Sequence, residues 1–445
     1  VKLIIATDNR FWREIIASQK RIASLYRYLL SRGADIRVLF VGTLQPPDLE
    51  ILAGLEDPPK LHVVPDSLAN TNHADPPQPS ISVKQFLPRR ARKGLKTMAN
   101  LWARRKLLFA ALRDPVERSR IWLRAQERKL REFVSPKHMA LLAQMCVDDP
   151  PDLVLVEYVH LSYLADAIPP NASKRIYKII DTHDLMHERQ RRFHAMGELH
   201  HLDITPTEEA AALRKFDAVL AIQQTEARKF RELVPDRPVV VVGMTSRITP
   251  LPVRDAKDVR LAFFGSAMPP NRLSVEFILR TIWPRLRARF SESIFLDIYG
   301  TVCEQFRTRV MPPGVALKGF VDDLENAYRD TDIVLSPVFF GGGLKLKTVE
   351  ALCFTRPLVT TTLGAEGLED GIGFAFLAHD SMEEFVQAVE GLIQDVSARR
   401  RMAEAAHTYA LRHFTPEATY GPLDQLLKEW GLRPSTGEAL ARAWT

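Results

Sequence analysis

The feature that most constrains this chain is a rhythm of short apolar runs, each about a strand long, separated by longer segments whose apolar residues recur at helical spacing. Lys2-Leu3-Ile4-Ile5-Ala6-Thr7 reads as a buried strand. Residues 12–31 follow with Ile15, Ile16, Ile22, Leu25, Tyr26 and Leu29 at helical spacing, Gly33 supplies a stop, and Asp35 to Val41 reads as a second strand. A strand, a crossover helix and a strand build parallel sheet, because parallel neighbours cannot be joined by a tight turn. The rhythm continues at 152–157, 175–180, 218–222 and 238–242. After a Pro-containing stretch, Thr249 to Pro252, it starts again at 259–264, 295–299, 315–319, 332–336 and 357–361. The fold class predicted is α/β, with two doubly wound sheets facing a cleft and ligands expected at the carboxyl ends of the strands. The expected units are 1–248, 249–415 and a helical tail at 416–445 that returns to the first unit. A length of 445 residues is too great for one ordinary core.

Composition narrows the class. Hydrophobic residues at 46% and charged residues at 26% are the balance of a folded globular chain. Cys146, Cys303 and Cys353 lie far apart, which argues against a disulfide framework or a structural zinc site. The chain contains no uninterrupted apolar stretch of the ~18 residues a spanning helix needs, and Leu3 to Ala6 is too short for a signal-peptide core. A cytoplasmic location is expected, with any membrane contact peripheral.

The net charge of +7 is concentrated. Between Lys84 and Glu132, sixteen Lys or Arg face four acids and interleave with Phe86, Trp102, Phe109 and Trp122. A basic helical insertion, about 66–135, is therefore expected in the first unit. Its residues 84–132 suit an anionic membrane surface where a lipid-linked acceptor is presented; a helical hairpin packed on the first unit accounts for them equally well. Its charge would also attract nucleic acid, but no nucleic-acid-binding module accompanies it.

Chemical cues are densest from Ser336 to Leu352, where a strand end, Gly341-Gly342-Gly343 and a helix start follow one another. Glycines let a ligand approach the backbone, and the first turn of a helix favours negative charge, so a diphosphate suits this place. Lys345 and Lys347 diverge on a helix; Lys347 is assigned to the cleft and Lys345 to solvent. Glu350, three residues on, shares the face of Lys347 and can accept from two ribose hydroxyls. A tight turn before an ordinary amphipathic helix would also account for three glycines. A second strand-to-glycine turn, Gly364-Ala365-Glu366-Gly367, would sit beside the first.

The run GGGLKLKTVEALCFTRPLVTTTLGAEGL resembles the donor-binding signature of GT-B glycosyltransferases of the family-4-like group. Phe264-Gly265-Ser266-Ala267-Met268-Pro269-Pro270-Asn271 and Lys318-Gly319-Phe320-Val321-Asp322-Asp323-Leu324 precede it in the family's order, so the resemblance covers about 259–415. It implies two Rossmann-like domains and a nucleoside-diphosphate sugar as donor, with no cofactor or metal required. The diphosphate would lie on Lys347, the ribose on Glu350 and the base near Val321. Gly265, Ser266 and Glu366 complete the expected donor site. It further implies retaining transfer to a saccharide or lipid-linked acceptor in surface-polysaccharide or glycoconjugate assembly. The family's usual first glutamate, expected to touch the donor sugar, falls on Gly342.

The first half resembles the family less closely: Asp8-Asn9-Arg10-Phe11-Trp12 stands where a glycine-rich loop is usual. Asp181-Thr182-His183-Asp184 follows a strand, which places it at the cleft, and resembles the HD-type element near the reacting centre in relatives. The expected catalytic residues are His183, bonding donor sugar or phosphate, and Asp184, orienting it, with Arg189 and Arg192 on phosphate; helix capping by Asp181 or Asp184 is the plainer alternative. His183 and His187 have i, i+4 spacing, but there is no HExxH arrangement and no metal is expected. Glu157 and Tyr158, also at a strand end, are candidates for the acceptor side. Two other functions remain open: a GT-B scaffold that binds nucleotide sugar for sensing or assembly without turnover, and a sugar-nucleotide epimerase. The second would need cleft acids beyond Glu157, Asp181 and Asp184.

Overall fold

A computed structural model describes residues 1–14, 17–55, 58–64, 127–170, 175–321 and 323–432. The first domain is a seven-stranded parallel sheet of β1 (Lys2–Thr7), β2 (Asp35–Phe40), β3 (Lys60–Val63), β4 (Leu153–Glu157), β5 (Tyr177–Asp181), β6 (Ala218–Ala221) and β7 (Val239–Val241), ordered β3-β2-β1-β4-β5-β6-β7. The second has six parallel strands, β8 (Val259–Phe264), β9 (Ile294–Tyr299), β10 (Val315–Gly319), β11 (Ile333–Ser336), β12 (Leu358–Thr360) and β13 (Leu377–Ala378), ordered β10-β9-β8-β11-β12-β13. The predicted two doubly wound sheets are what the chain forms.

Both sheets are covered on two faces, which explains why their strands are apolar throughout rather than alternating with polar residues. In β1, Leu3 and Ile5 enter one layer of the core, Ile4 and Ala6 the other. Helix α1 (Ala17–Ser31) buries Ile22, Leu25, Tyr26 and Leu29 in the first of these layers. Its stop is Gly33, at φ +74°. The helix Pro416–Glu429 packs on the first domain beside α1: Tyr420, Leu423, Leu426 and Leu427 join that same layer, and the Tyr420 hydroxyl lies 2.7 Å from Ser24 Oγ. Burying each of these leucines contributes about 1.5–3 kcal/mol.

The sheet order reverses between β1 and β4 and between β8 and β11. At such a switch point the adjoining loops leave in opposite directions and open a crevice. The basic insertion lies outside the described residues apart from 127–135, as do the tail residues 433–445. Among the described residues no helix is long and apolar enough to cross a membrane.

Candidate active site

A cavity of about 1070 Å³ lies between the carboxyl ends of the two sheets. His183 and Asp184 line it from the first domain. Gly265, Ser266, Val321, Gly341, Gly342, Gly343, Lys347 and Glu350 line it from the second. Glu366 does not: the short turn Leu363–Ala365 carries it behind the glycine loop, where it accepts from both terminal nitrogens of Arg192 at 3.0 and 2.9 Å. Burial alone would raise the Glu366 carboxyl, but the Arg192 bond and the charge of Lys345 hold it below its ordinary range. Arg192 also donates to Gly341 O at 2.8 Å, so it braces the loop rather than presenting itself to a phosphate.

The glycines are required by geometry. Gly341 has φ +127° and Gly343 φ +62°, where other residues are strained. A Cβ on Gly342 would come within 2.6 Å of Asp184 Oδ1, as would one on Gly343. The first domain's aspartate thus occupies the space a side chain at 342 would need. Asp184 does not orient His183; its carboxylate lies against this loop and 3.4 Å from Arg189.

Helix α2 (Leu346–Cys353) begins after Lys345. The two lysines diverge, but Lys345 is not solvated. Its Nζ folds back on Gly343 O at 2.6 Å and Gly342 O at 3.2 Å, with Glu366 at 3.4 Å, because the loop's carbonyls point inward at the helix start. Lys347 donates to Asn271 Oδ1 at 2.6 Å and sits 4.6 Å from the centre of the Phe263 ring. Burial, then the neighbouring charge of Lys345, draws its ammonium down to about 7. Asn271 is held in turn, its amide donating to Ser266 O and Oγ. Glu350 accepts from Lys20 of α1 across the cleft at 2.6 Å.

The opposite wall comes from the ends of β4 and β5, which pair with Glu157 level with Asp181. His183 Nε2 lies 2.6 Å from Glu157 Oε2. Arg21 clamps Asp181 with two bonds, at 3.0 and 2.8 Å, and also reaches the carbonyl of Gly243. Tyr158 stacks on His183 at 4.0 Å and 12°. Glu157 lies behind His183, fully buried, so it cannot line an acceptor site; Tyr158 lines the cavity. The loop after β1 is pinned to the segment that follows β2: Arg10, Trp12 and Arg13 all donate to the buried carboxylate of Asp48 in the helix Pro46–Gly54.

Glu157, Asp181 and His183 bring ligand-type atoms within 4.8 Å of one another. Arg21 already places its cation on both oxygens of Asp181 and the imidazole is bonded to Glu157, an arrangement that does not fit a metal. The i, i+4 reading of His183 and His187 fails because the helix starts only at Met186. His187 bonds Glu209 and His194 bonds Glu127.

Sequence reasoning did not single out Lys20, Asn271 or Glu226. Lys20 sits with Ala17 and Arg21 on one face of α1, in the polar first turns that precede its apolar stretch from Ile22. Asn271 closes the quoted run that opens the second domain. Glu226, from the first-domain helix Gln224–Leu233, accepts from Gly343 N at 3.2 Å and has a second oxygen with no partner among the described residues. Burial and the charge of Asp184 push its carboxyl up to about 8.

Two doubly wound parallel sheets with a ligand-sized cavity between their switch points define the GT-B class. Residues 258–395 match the family model of glycosyl transferases group 1. The chain has the GT-B fold, and the match to that family lies within its second domain. Sucrose-phosphate synthase from Thermosynechococcus elongatus is similar over 97% of this chain and 99% of that one, with a TM-score of 0.66 and 13% identity. HepE of Anabaena, solved in complex with UDP, is similar over 96% and 100%, with a TM-score of 0.60 and 13% identity. TarM matches with a TM-score of 0.52 and 14% identity over 67% of this chain, which spans 58% of TarM's length. No curated protein matches the chain in sequence.

Proposed function

We propose that the cleft transfers a sugar, with retention, from a nucleoside-diphosphate sugar to a saccharide or lipid-linked acceptor. The observation that carries this reading is Lys347, a partly buried cation whose bonded partner is a neutral amide and whose charge is opposed by that of Lys345. Among the described residues no anion is bonded to it, and a diphosphate on the glycine loop supplies one. Glu350 then takes the ribose hydroxyls in exchange for Lys20, and the base lies towards Val321.

In the transfer, the bond from the sugar's anomeric carbon to the diphosphate oxygen breaks while the acceptor oxygen bonds on the same face. The acceptor's proton passes to the departing phosphate. Charge grows on that phosphate, and Lys347 with the loop's N–H groups stabilises it without reorganising, which is where the acceleration comes from. His183, held at the end of β5, contacts the sugar or its phosphate.

A thermal-shift panel of UDP, GDP, ADP and dTDP tests the reading, since a ligand that binds the native state raises stability with concentration. At least one should shift the melting temperature. Lys347→Ala and Glu350→Ala should each weaken that nucleotide by ~1–3 kcal/mol in calorimetry, the scale of a lost charge-assisted bond. A flat panel, or unaltered binding in both variants, sinks the assignment.

A further inference from the structure

Glu157 is an unlikely residue for a merely structural position. It is fully buried, only one of its oxygens is bonded, and the other has no partner among the described residues. An unpaired buried polar atom costs about 1–3 kcal/mol, which a leucine of similar volume would avoid. Beside it, two non-glycine residues adopt left-handed backbone: Tyr158 at φ +69° and His183 at φ +58°. Strain of this kind persists where surrounding contacts over-determine it. Here the two strained residues close successive strands, and their rings stack on each other facing the cavity. The chain bends both strand ends to deliver one imidazole to one place.

We propose that Glu157 is a positioning residue for sugar transfer: it takes the Nε2 proton of His183, fixing that ring's tautomer and orientation, and so reserves Nδ1 for the substrate. This rests on His183 acting at the donor, as read above. The charges around the pair support the division of labour. Arg21 donates to both oxygens of Asp181, which lies 3.9 Å from His183 Nε2, so the proton goes to Glu157 at 2.6 Å. On the cavity side Asp184 is offset by Arg189. Behind Tyr158, His160 is bonded to Asp8. Glu157 and His183 are left to share one proton across 2.6 Å. Burial, then the charge of Asp181, raises the Glu157 carboxyl against the pull of His183, which keeps that proton closely shared.

Nitrogen-15 NMR of the histidine-labelled full chain tests this, with His183→Gln identifying the signal. In the unaltered protein, His183 should show Nε2–H as its single neutral tautomer, with a strongly downfield proton. A tautomer mixture, or Nδ1–H, overturns the proposal without any variant being needed. In Glu157→Gln, the Nε2 proton of His183 should move upfield, because a neutral amide oxygen accepts more weakly than a carboxylate. Glu157→Asp should move it less. UDP binding, measured on the same samples, should stay within about twofold of the unaltered chain, because Glu157 lies behind His183 and does not line the cavity. An unmoved Nε2 proton signal in folded Glu157→Gln overturns the proposal, whereas loss of UDP binding in Lys347→Ala alone bears only on the nucleotide reading.

Discussion

The two walls of the cleft handle charge in opposite ways. On the first-domain wall several ions find partners within the wall, Arg21 with Asp181, His183 with Glu157, Asp8 with His160, and Arg10 and Arg13 with Asp48, while Arg192 and Lys20 reach Glu366 and Glu350 of the second domain. On the second-domain wall Lys347 meets a neutral amide, and Glu350 finds its cation only by reaching across to Lys20. A wall complete in itself holds geometry, while a wall short of an anion recruits one. Catalysis by a fixed electrostatic environment needs both: donors that do not move when charge develops, and a vacancy for the charge.

The largest expected effect tests the first half of that contrast. Arg21→Met leaves the Asp181 carboxylate buried and unpaired, which should cost about 3–5 kcal/mol in denaturant unfolding. The double variant Arg21→Met with Asp181→Leu should recover most of it. Lys347→Ala, on the other wall, should not lower stability, because the buried ammonium is itself disfavoured in the fold. Equal losses from Arg21→Met and Lys347→Ala would erase the distinction between the walls.

Next in size is the pH response of the recruiting wall. The Lys347 ammonium falls from its ordinary value to about 7 on folding. Between pH 7 and the usual lysine value, the unfolded chain holds a proton that the fold does not, so this residue's contribution makes stability rise with pH across that window. A bound diphosphate reverses the preference. UDP binding at pH 8 should therefore take up a proton and weaken as pH rises, by about 1–3 kcal/mol between the charged and neutral lysine. Calorimetry in buffers of different ionisation heat reads the uptake, which should vanish in Lys347→Ala.

The same contrast explains what was legible in the sequence. The second wall is built from local order: a strand, three glycines and a helix put Gly341, Gly343, Lys347 and Glu350 at the cleft through neighbours in the chain, and a sequence pattern shows that. Burial at Lys345 was missed because it depends on Glu366, which reaches it only when the next glycine turn folds under the loop. The first wall is made of distant pairs. Arg21 and Asp181 are 160 positions apart and Lys20 and Glu350 are 330, so spacing carries no trace of them. The strand rhythm foretold both sheets and placed His183 at a strand end, but not Glu157 behind it.

Glu226 gives a smaller effect, at the seam where the walls meet. Its carboxyl, raised to about 8, keeps a proton in the fold that the unfolded chain releases above the usual glutamate range. Stability therefore falls as pH rises from the glutamate range through about 8. Glu226→Gln should remove that fall, raising stability by about 1 kcal/mol at pH 8 and very little at pH 5. Melting temperatures across that range check it; a variant that is as pH-sensitive as the original chain would mean that Glu226 is charged against Gly343.

The smallest effect separates two roles for the one ion that joins the walls. Lys20 and the ribose compete for Glu350 if that carboxylate is a ribose site, so the ligand-free cleft is partly self-capped. Removing the competitor in Lys20→Met should tighten UDP by up to about 1 kcal/mol, the ceiling for a partly exposed ion pair. Once displaced, however, Lys20 also stands at the cavity, and its charge could turn to the diphosphate. Comparing uridine with UDP resolves the two roles: Lys20→Met should tighten uridine, which has no phosphate, at least as much as UDP. If UDP binding weakens while uridine binding tightens, Lys20 moves to the diphosphate on binding, and the first wall also recruits.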